Sequence, residues 1–192
     1  MPTGEKEMRS LYLLAVIVLF ATFANAQSTQ ALQIFEKAVY ASKNGDHRSA
    51  LEGFRSTLSI IERETASDTF FAKVHYDIGV SHYHLRDLGG ATEHFAKALS
   101  HAKQKYSRAQ YALGLTLLEA NDLENAEQHL RNAVVLDNRN AGAWYDLSRV
   151  YYAANEGAKA KRALARALKL GAVVRVSEPA GASSVATLTA YE

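Results

Sequence analysis

The densest group of residues able to do chemistry in this 192-residue chain is five histidines: His75, His82, His84, His94 and His101. Imidazole can ligate a metal or carry a proton near neutral pH. Zinc asks for at least three converging ligands, often at a short fixed spacing such as H-E-x-x-H. Here His75 and His82 are seven residues apart, as are His94 and His101. That spacing sets each pair on one helix face without a third ligand, so no metal and no other cofactor is implied. His82 would make the fold pH-sensitive if it were buried neutral. With no cysteine in the chain, there is no thiol nucleophile, disulfide, cysteine-ligated zinc or cysteine-borne lipid anchor. No G-x-S-x-G, phosphate loop or dinucleotide fingerprint is present. Paired acids such as Glu62 and Glu64, or Glu124 and Glu127, are explained as exposed helix residues. An enzyme is not expected. The net charge of +2 is too small to argue for a nucleic-acid partner.

The elements that carry these side chains are helices. Trp144, Leu147, Val150 and Tyr151 recur at helical spacing, Asn155-Glu156-Gly157 interrupts the pattern, and Ala160, Ala163, Leu164, Ala167 and Leu168 form a second apolar face. Gly171 is suited to the position just past the helix end. The basic residues Lys159, Lys161, Arg162, Arg166 and Lys169 fall mostly on the opposite side, and a solvated helix face is their plainest reading. From Trp144 the key residues Leu147, Ser148, Tyr151, Ala160, Leu164 and Ala167 stand at offsets 3, 4, 7, 16, 20 and 23. This pattern resembles the tetratricopeptide repeat (TPR), a helix-turn-helix unit of about 34 residues.

The same template can be walked backwards. Ala126 lies 34 residues before Ala160, with Leu113, Gly114, Leu117, Leu130 and Ala133 in register. Ala91 lies 35 residues before Ala126, with His75, Ile78, Gly79, His82, Phe95 and Ala98 around it. There Gly89-Gly90 predicts a longer or softer turn. Ala50 lies 41 residues before Ala91, with Phe54 in register but Lys37 and Ala38 in the leucine-glycine slots. The extra residues, Ile60 to Ser67, read as a helix extension and short link. The resemblance implies an all-α fold, a right-handed α-solenoid of about four TPR helix-turn-helix repeats. These run over about 31–64, 72–106, 107–140 and 141–171, within a TPR domain of 27–171.

The resemblance further implies that the first helices line a concave groove, faced by positions 2, 5, 9 and 12 of each. Carried onto this sequence, the groove contains Phe35, Lys73, Tyr76, Val80, Tyr83, Arg108, Tyr111, Leu115, Tyr145, Arg149 and Tyr152. TPR proteins that grip a chaperone's C-terminal carboxylate use lysine at position 5 and asparagine at position 9, and no repeat here has that set. Two readings of the tyrosines are open: they bind an extended or helical peptide segment, or they pack between first helices. The binding reading expects Tyr111→Ala and Tyr145→Ala to weaken partner binding without unfolding the chain.

Both ends depart from the repeats. Lys6 and Arg9, an apolar run from Leu11 to Ala24 and the Ala24-Asn25-Ala26 site read as a signal peptide over residues 1–26. The expected location is therefore periplasmic or secreted; the alternative is a membrane anchor at residues 11–24. Residues 172–192 read as a loop-like or disordered tail with no capping helix, which would leave Ala163, Leu164, Ala167 and Leu170 partly bare. Taken together, the chain reads as an exported scaffold or adaptor. It would bind a protein segment in its concave groove, in envelope or secretion-associated assembly. The alternative is a structural homo-oligomer formed through the uncapped last repeat.

Overall fold

The computed structural model describes residues 29–63 and 66–172. The signal segment expected at 1–26 lies outside the described residues, as does the tail beyond Ala172. Among the described residues there are eight helices and no strand. They are α1 (29–43), α2 (His47–Ile61), α3 (Asp68–His84), α4 (Leu88–His101), α5 (Ser107–Glu119), α6 (Leu123–Leu136), α7 (Ala141–Ala153) and α8 (Gly157–Lys169). No helix among them is long and apolar enough to cross a membrane.

One turn recurs between the two helices of each pair. Gly45, Arg86, Asn121 and Asn155 all have positive φ, at 81°, 64°, 60° and 59°. Each is followed by an acid whose backbone N–H returns to a carbonyl five residues back. Asp46 reaches Ala41 at 3.0 Å, Asp87 reaches His82 at 3.0 Å, Asp122 reaches Leu117 at 2.9 Å and Glu156 reaches Tyr151 at 2.8 Å. This bond satisfies a carbonyl that the helix end leaves orphaned. Two of the acids then start the next helix, since Asp46 and Asp122 accept the N–H of Ser49 and Asn125 at 3.1 and 3.3 Å. Four residues after each acid stands a buried alanine: Ala50, Ala91, Ala126 and Ala160.

The chain divides after Asp87 into two compact units. In unit one, Phe35 of α1 meets Phe54 of α2 and Phe70 of α3, each at a centroid distance of 5.5 Å. Ala38 faces Gly53 so closely that a Cβ on the glycine would lie 2.7 Å from the alanine's Cβ. The extra residues between α2 and α3, expected as a helix extension and short link, fall between the end of α2 and an early start of α3. The α2 helix ends at Ile61, and α3 starts at Asp68, a turn ahead of Ala72, because the Ser67 hydroxyl accepts the Phe70 N–H at 3.3 Å. His75 is buried. His82, considered from sequence as a buried neutral histidine, is half-buried, and its Nδ1 lies 2.8 Å from the Asp87 carboxylate. His84 instead stacks on His47 at 4.3 Å, and burial, with the neighbouring His47 charge, pushes His84 below the ordinary 6.5.

In unit two, each helix packs on the next from α4 to α8, and α5 also touches α7. This is the nearest-neighbour pattern of a stacked repeat. Gly89 and Gly90 do not lengthen the turn before α4. They lie in its first turn, where N–H groups have no intrahelical partner and the interior cost of glycine does not apply. Gly114 brings α5 onto α6: a Cβ there would stand 2.7 Å from Leu130 Cγ. Beside this crossing His129 Nδ1 lies 2.8 Å from the buried Gln110 side chain, and burial pushes His129 below 6.5. Of the four residues expected to be partly bare in the last repeat, two are so. Ala163 and Ala167 are buried between helices, Leu164 and Leu170 are half-buried, and Leu168 is the large apolar residue of α8 left 51% exposed.

Two predictions follow from this packing. Alanine at position 53 would gain about 1 kcal/mol of helix propensity, but overpacking costs about 1–3 kcal/mol where no side chain can rotate away. Gly53→Ala should therefore lower the urea midpoint, and adding Ala38→Gly should restore most of the loss; a raised midpoint in the single variant would contradict the close approach. His84 and His129 both have folded pKa values below 6.5. The unfolded chain takes up protons first as pH falls, so the stability they confer is complete above 6.5 and is lost as pH drops through the folded values. The melting temperature of His84→Gln/His129→Gln should fall less between neutral and mildly acidic pH than that of wild type.

Candidate functional site

The first helices of the last two pairs, α5 and α7, lie side by side in unit two. Between them Asp146 is fully buried. The Tyr111 hydroxyl of α5 donates to Asp146 Oδ2 at 3.0 Å, and Arg149 Nη1, one turn along α7, donates to Oδ1 at 2.8 Å. The neighbouring Gly142 makes room, since a Cβ there would stand 2.9 Å from the Tyr111 hydroxyl oxygen. Burial pushes the Asp146 carboxyl above the usual range, and the Arg149 and Tyr111 donors pull part of that back. Burial also opposes the Arg149 charge, but the Asp146 carboxylate more than offsets it and raises the guanidinium pKa. The arrangement holds a cation in one place while 42% of its side chain remains exposed.

Around this anchor the residues expected from the repeat register are arranged by helix. Arg108 is exposed on α5, with Tyr111 and Leu115 half-buried. On α7, Tyr145 is half-buried, Arg149 is exposed, and Tyr152 is 80% exposed. Tyr145, Arg149 and Tyr152 are four and three residues apart, which places them along one strip of the helix. Among the described residues, Arg149 uses one of its five N–H donors.

In unit one, Lys73 is exposed and Tyr76, Val80 and Tyr83 are half-buried on α3. Phe35 requires a correction. It is 3% exposed, enclosed by Phe54 and Phe70, and covered by Lys73, whose Nζ lies 4.1 Å from the ring centroid. It is a core residue rather than a surface for a ligand. Tyr111 also departs from the expectation that its removal leaves folding untouched, because its hydroxyl partners a buried carboxylate. Repeat spacing pointed to Tyr111 and Arg149 but missed the acid that joins them. The available signal was a lone carboxylate between Tyr145 and Leu147 on an otherwise apolar helix, with arginine three residues later. Among the described residues, no three histidine, aspartate or glutamate side chains gather where they could hold a metal ion.

Residues 117–173 match the family model for the tetratricopeptide repeat. No curated protein matches the chain. Among solved structures, the chain is similar to MamA (16% identity, TM-score 0.65, covering 88% of this chain and 95% of that one). It is similar to YrrB, described as a TPR protein with an unusual peptide-binding site (16% identity, TM-score 0.63, covering 83% and 82%). It also resembles the first TPR of Spaghetti (RPAP3) bound to HSP90 peptide SRMEEVD (17% identity, TM-score 0.60, covering 67% and 95%). These likenesses establish the fold, an all-α helical solenoid of the TPR type.

Removing one donor from a buried, hydrogen-bonded carboxylate costs about 1–3 kcal/mol. Tyr111→Phe should therefore destabilise the chain by about that amount, and by clearly less in an Asp146→Asn background, where no buried charge is left underpaired. A double-mutant cycle in urea should show coupling above about 0.5 kcal/mol; additive effects would mean the bond carries no energy.

Proposed function

We propose that this chain is an exported scaffold that holds a segment of another protein on the α5–α7 face, in cell-envelope or secretion-associated assembly. The observation that carries the reading is Arg149: fixed from below by Asp146, still partly exposed, and flanked along α7 by Tyr145 and Tyr152. Preorganised side chains lose little freedom on binding, so a rigid cation between two tyrosines suits a peptide with apolar and hydrogen-bonding groups. The face offers groups that bind and orient, and its one buried acid is already engaged by two donors, which favours a scaffold over an enzyme. Structures of the same fold are described as having a peptide-binding site, or as bound to a peptide. Export rests on Lys6, Arg9, the apolar run at 11–24 and the Ala24-Asn25-Ala26 site.

A second reading, a homo-oligomer formed through the last repeat, is favoured by Leu168, which stands 51% exposed on α8.

One experiment separates the two. Wild type and Tyr145→Ala/Arg149→Ala, the latter checked for an unchanged helical spectrum, are used to capture partners from the native envelope fraction. The scaffold reading expects a partner retained by wild type and lost by the folded variant. A partner held equally by both would move binding off this face. Recovery of the protein alone, at twice its own mass and reverting to monomer in Leu168→Asp, would establish the oligomer instead.

A further inference from the structure

Unit two also carries an open cleft of about 580 Å³ lined by α7, α8 and Asn138. It lies roughly 130° round α7 from the strip of Tyr145, Arg149 and Tyr152. Its floor is apolar, made of Trp144, Leu147 and Tyr151 from α7 with Ala163 from α8. The Trp144 indole is fixed there, its Nε1 donating to the Asn138 carbonyl at 3.0 Å. The wall contributed by α8 carries Lys159, Arg162 and Arg166.

The three cations are not equivalent. Lys159 is paired with Glu156 and lies 5.3 Å over the Tyr151 ring, so its charge is already answered. Arg162 donates its Nε to the Ala158 carbonyl at 3.2 Å. Neither Arg162 nor Arg166 meets a carboxylate among the described residues. Two guanidinium groups without counter-charge among the described residues therefore stand one helical turn apart beside an apolar floor.

We propose that this cleft binds an acidic, extended peptide segment of a partner protein, two carboxylates engaging Arg162 and Arg166 and an adjacent apolar side chain resting on Trp144. The argument is charge complementarity joined to spacing. Helix residues four apart hold their Cβ atoms about 5–6 Å apart, close to the roughly 6–7 Å between alternate residues of an extended chain. Planar guanidinium forks suit carboxylates. The volume is within the range of ligand clefts of about 300–1,000 Å³. A nucleic-acid strand fits less well, because two unanswered cations over an apolar floor do not make the continuous basic track that a phosphate backbone follows.

Trp144 is the single tryptophan of the chain, so its emission reports the cleft directly. The probe is a blocked peptide of alternating glutamate and leucine, titrated into the full-length protein. The expected result is a saturable emission shift, weakened about tenfold or more by Arg162→Gln/Arg166→Gln and by raising NaCl from about 50 to about 500 mM. Tyr145→Ala should leave the binding unchanged, which keeps this cleft distinct from the α5–α7 face. The proposal is overturned if no saturable shift occurs, or if the glutamine version of the peptide binds equally well. It fails too if the double variant, with a wild-type helical spectrum, binds as tightly as wild type. An emission that shifts with protein concentration alone would place a second copy in the cleft, and tighter binding of a single-stranded oligonucleotide would assign it to nucleic acid; either result overturns the proposal.

Discussion

The structure depends on one backbone hydrogen bond that recurs at helix ends, four of its copies closing the turn inside a helix pair. A residue in the left-handed region ends a helix, and the next N–H reaches back five residues, from Asp46, Asp87, Asp122 and Glu156. That bond turns the chain sharply without leaving buried carbonyls unpaired. It also places the same small residue, Ala50, Ala91, Ala126 or Ala160, at a constant distance into the following helix. With side chains this small, helices approach closely, and the approach is tight wherever glycine joins in: Ala38 on Gly53, Gly114 under Leu130. No single pair buries much apolar surface, so stability comes from stacking pair on pair.

Close approach also explains why a charged residue can sit inside. Asp146 occupies a slot where α5 and α7 meet, and burial would make an isolated carboxylate costly there. Tyr111 and Arg149 answer it from two sides. The equivalent register position in unit one is Asp77. There the residue corresponding to Tyr111 is Phe35, which has no hydroxyl to offer, and Asp77 is less deeply placed, 3.9 Å from Lys73. One exchanged side chain thus separates an apolar contact, Phe35 among Phe54 and Phe70, from a polar anchor that presents Arg149 outward.

The two surfaces of unit two use different chemistry. The α5–α7 strip offers tyrosines around a cation that is partly neutralised from below. The cleft beside α8 offers two arginines that meet no carboxylate among the described residues, above an apolar floor.

Much of this was legible in the amino-acid sequence. Helical spacing of Trp144, Leu147 and Tyr151, and of Ala160, Leu164 and Ala167, determined the helix pairs and their apolar faces, because periodicity records which side of a helix meets a neighbour. The turns were marked by Gly45, Asn121 and Asn155, residues that accept positive φ. Arg86 carried no such mark, and its turn became legible only through the register of its neighbours. What sequence could not determine was which face residues remain accessible. Phe35 and Tyr111 share a register position, yet the first is enclosed by two phenylalanines and the second is tied to Asp146. Nor could it show that Arg162 and Arg166, seemingly part of a solvated helix face, border a cleft. Burial and pairing depend on side chains brought together from distant positions, and that geometry exists only once the helices have packed.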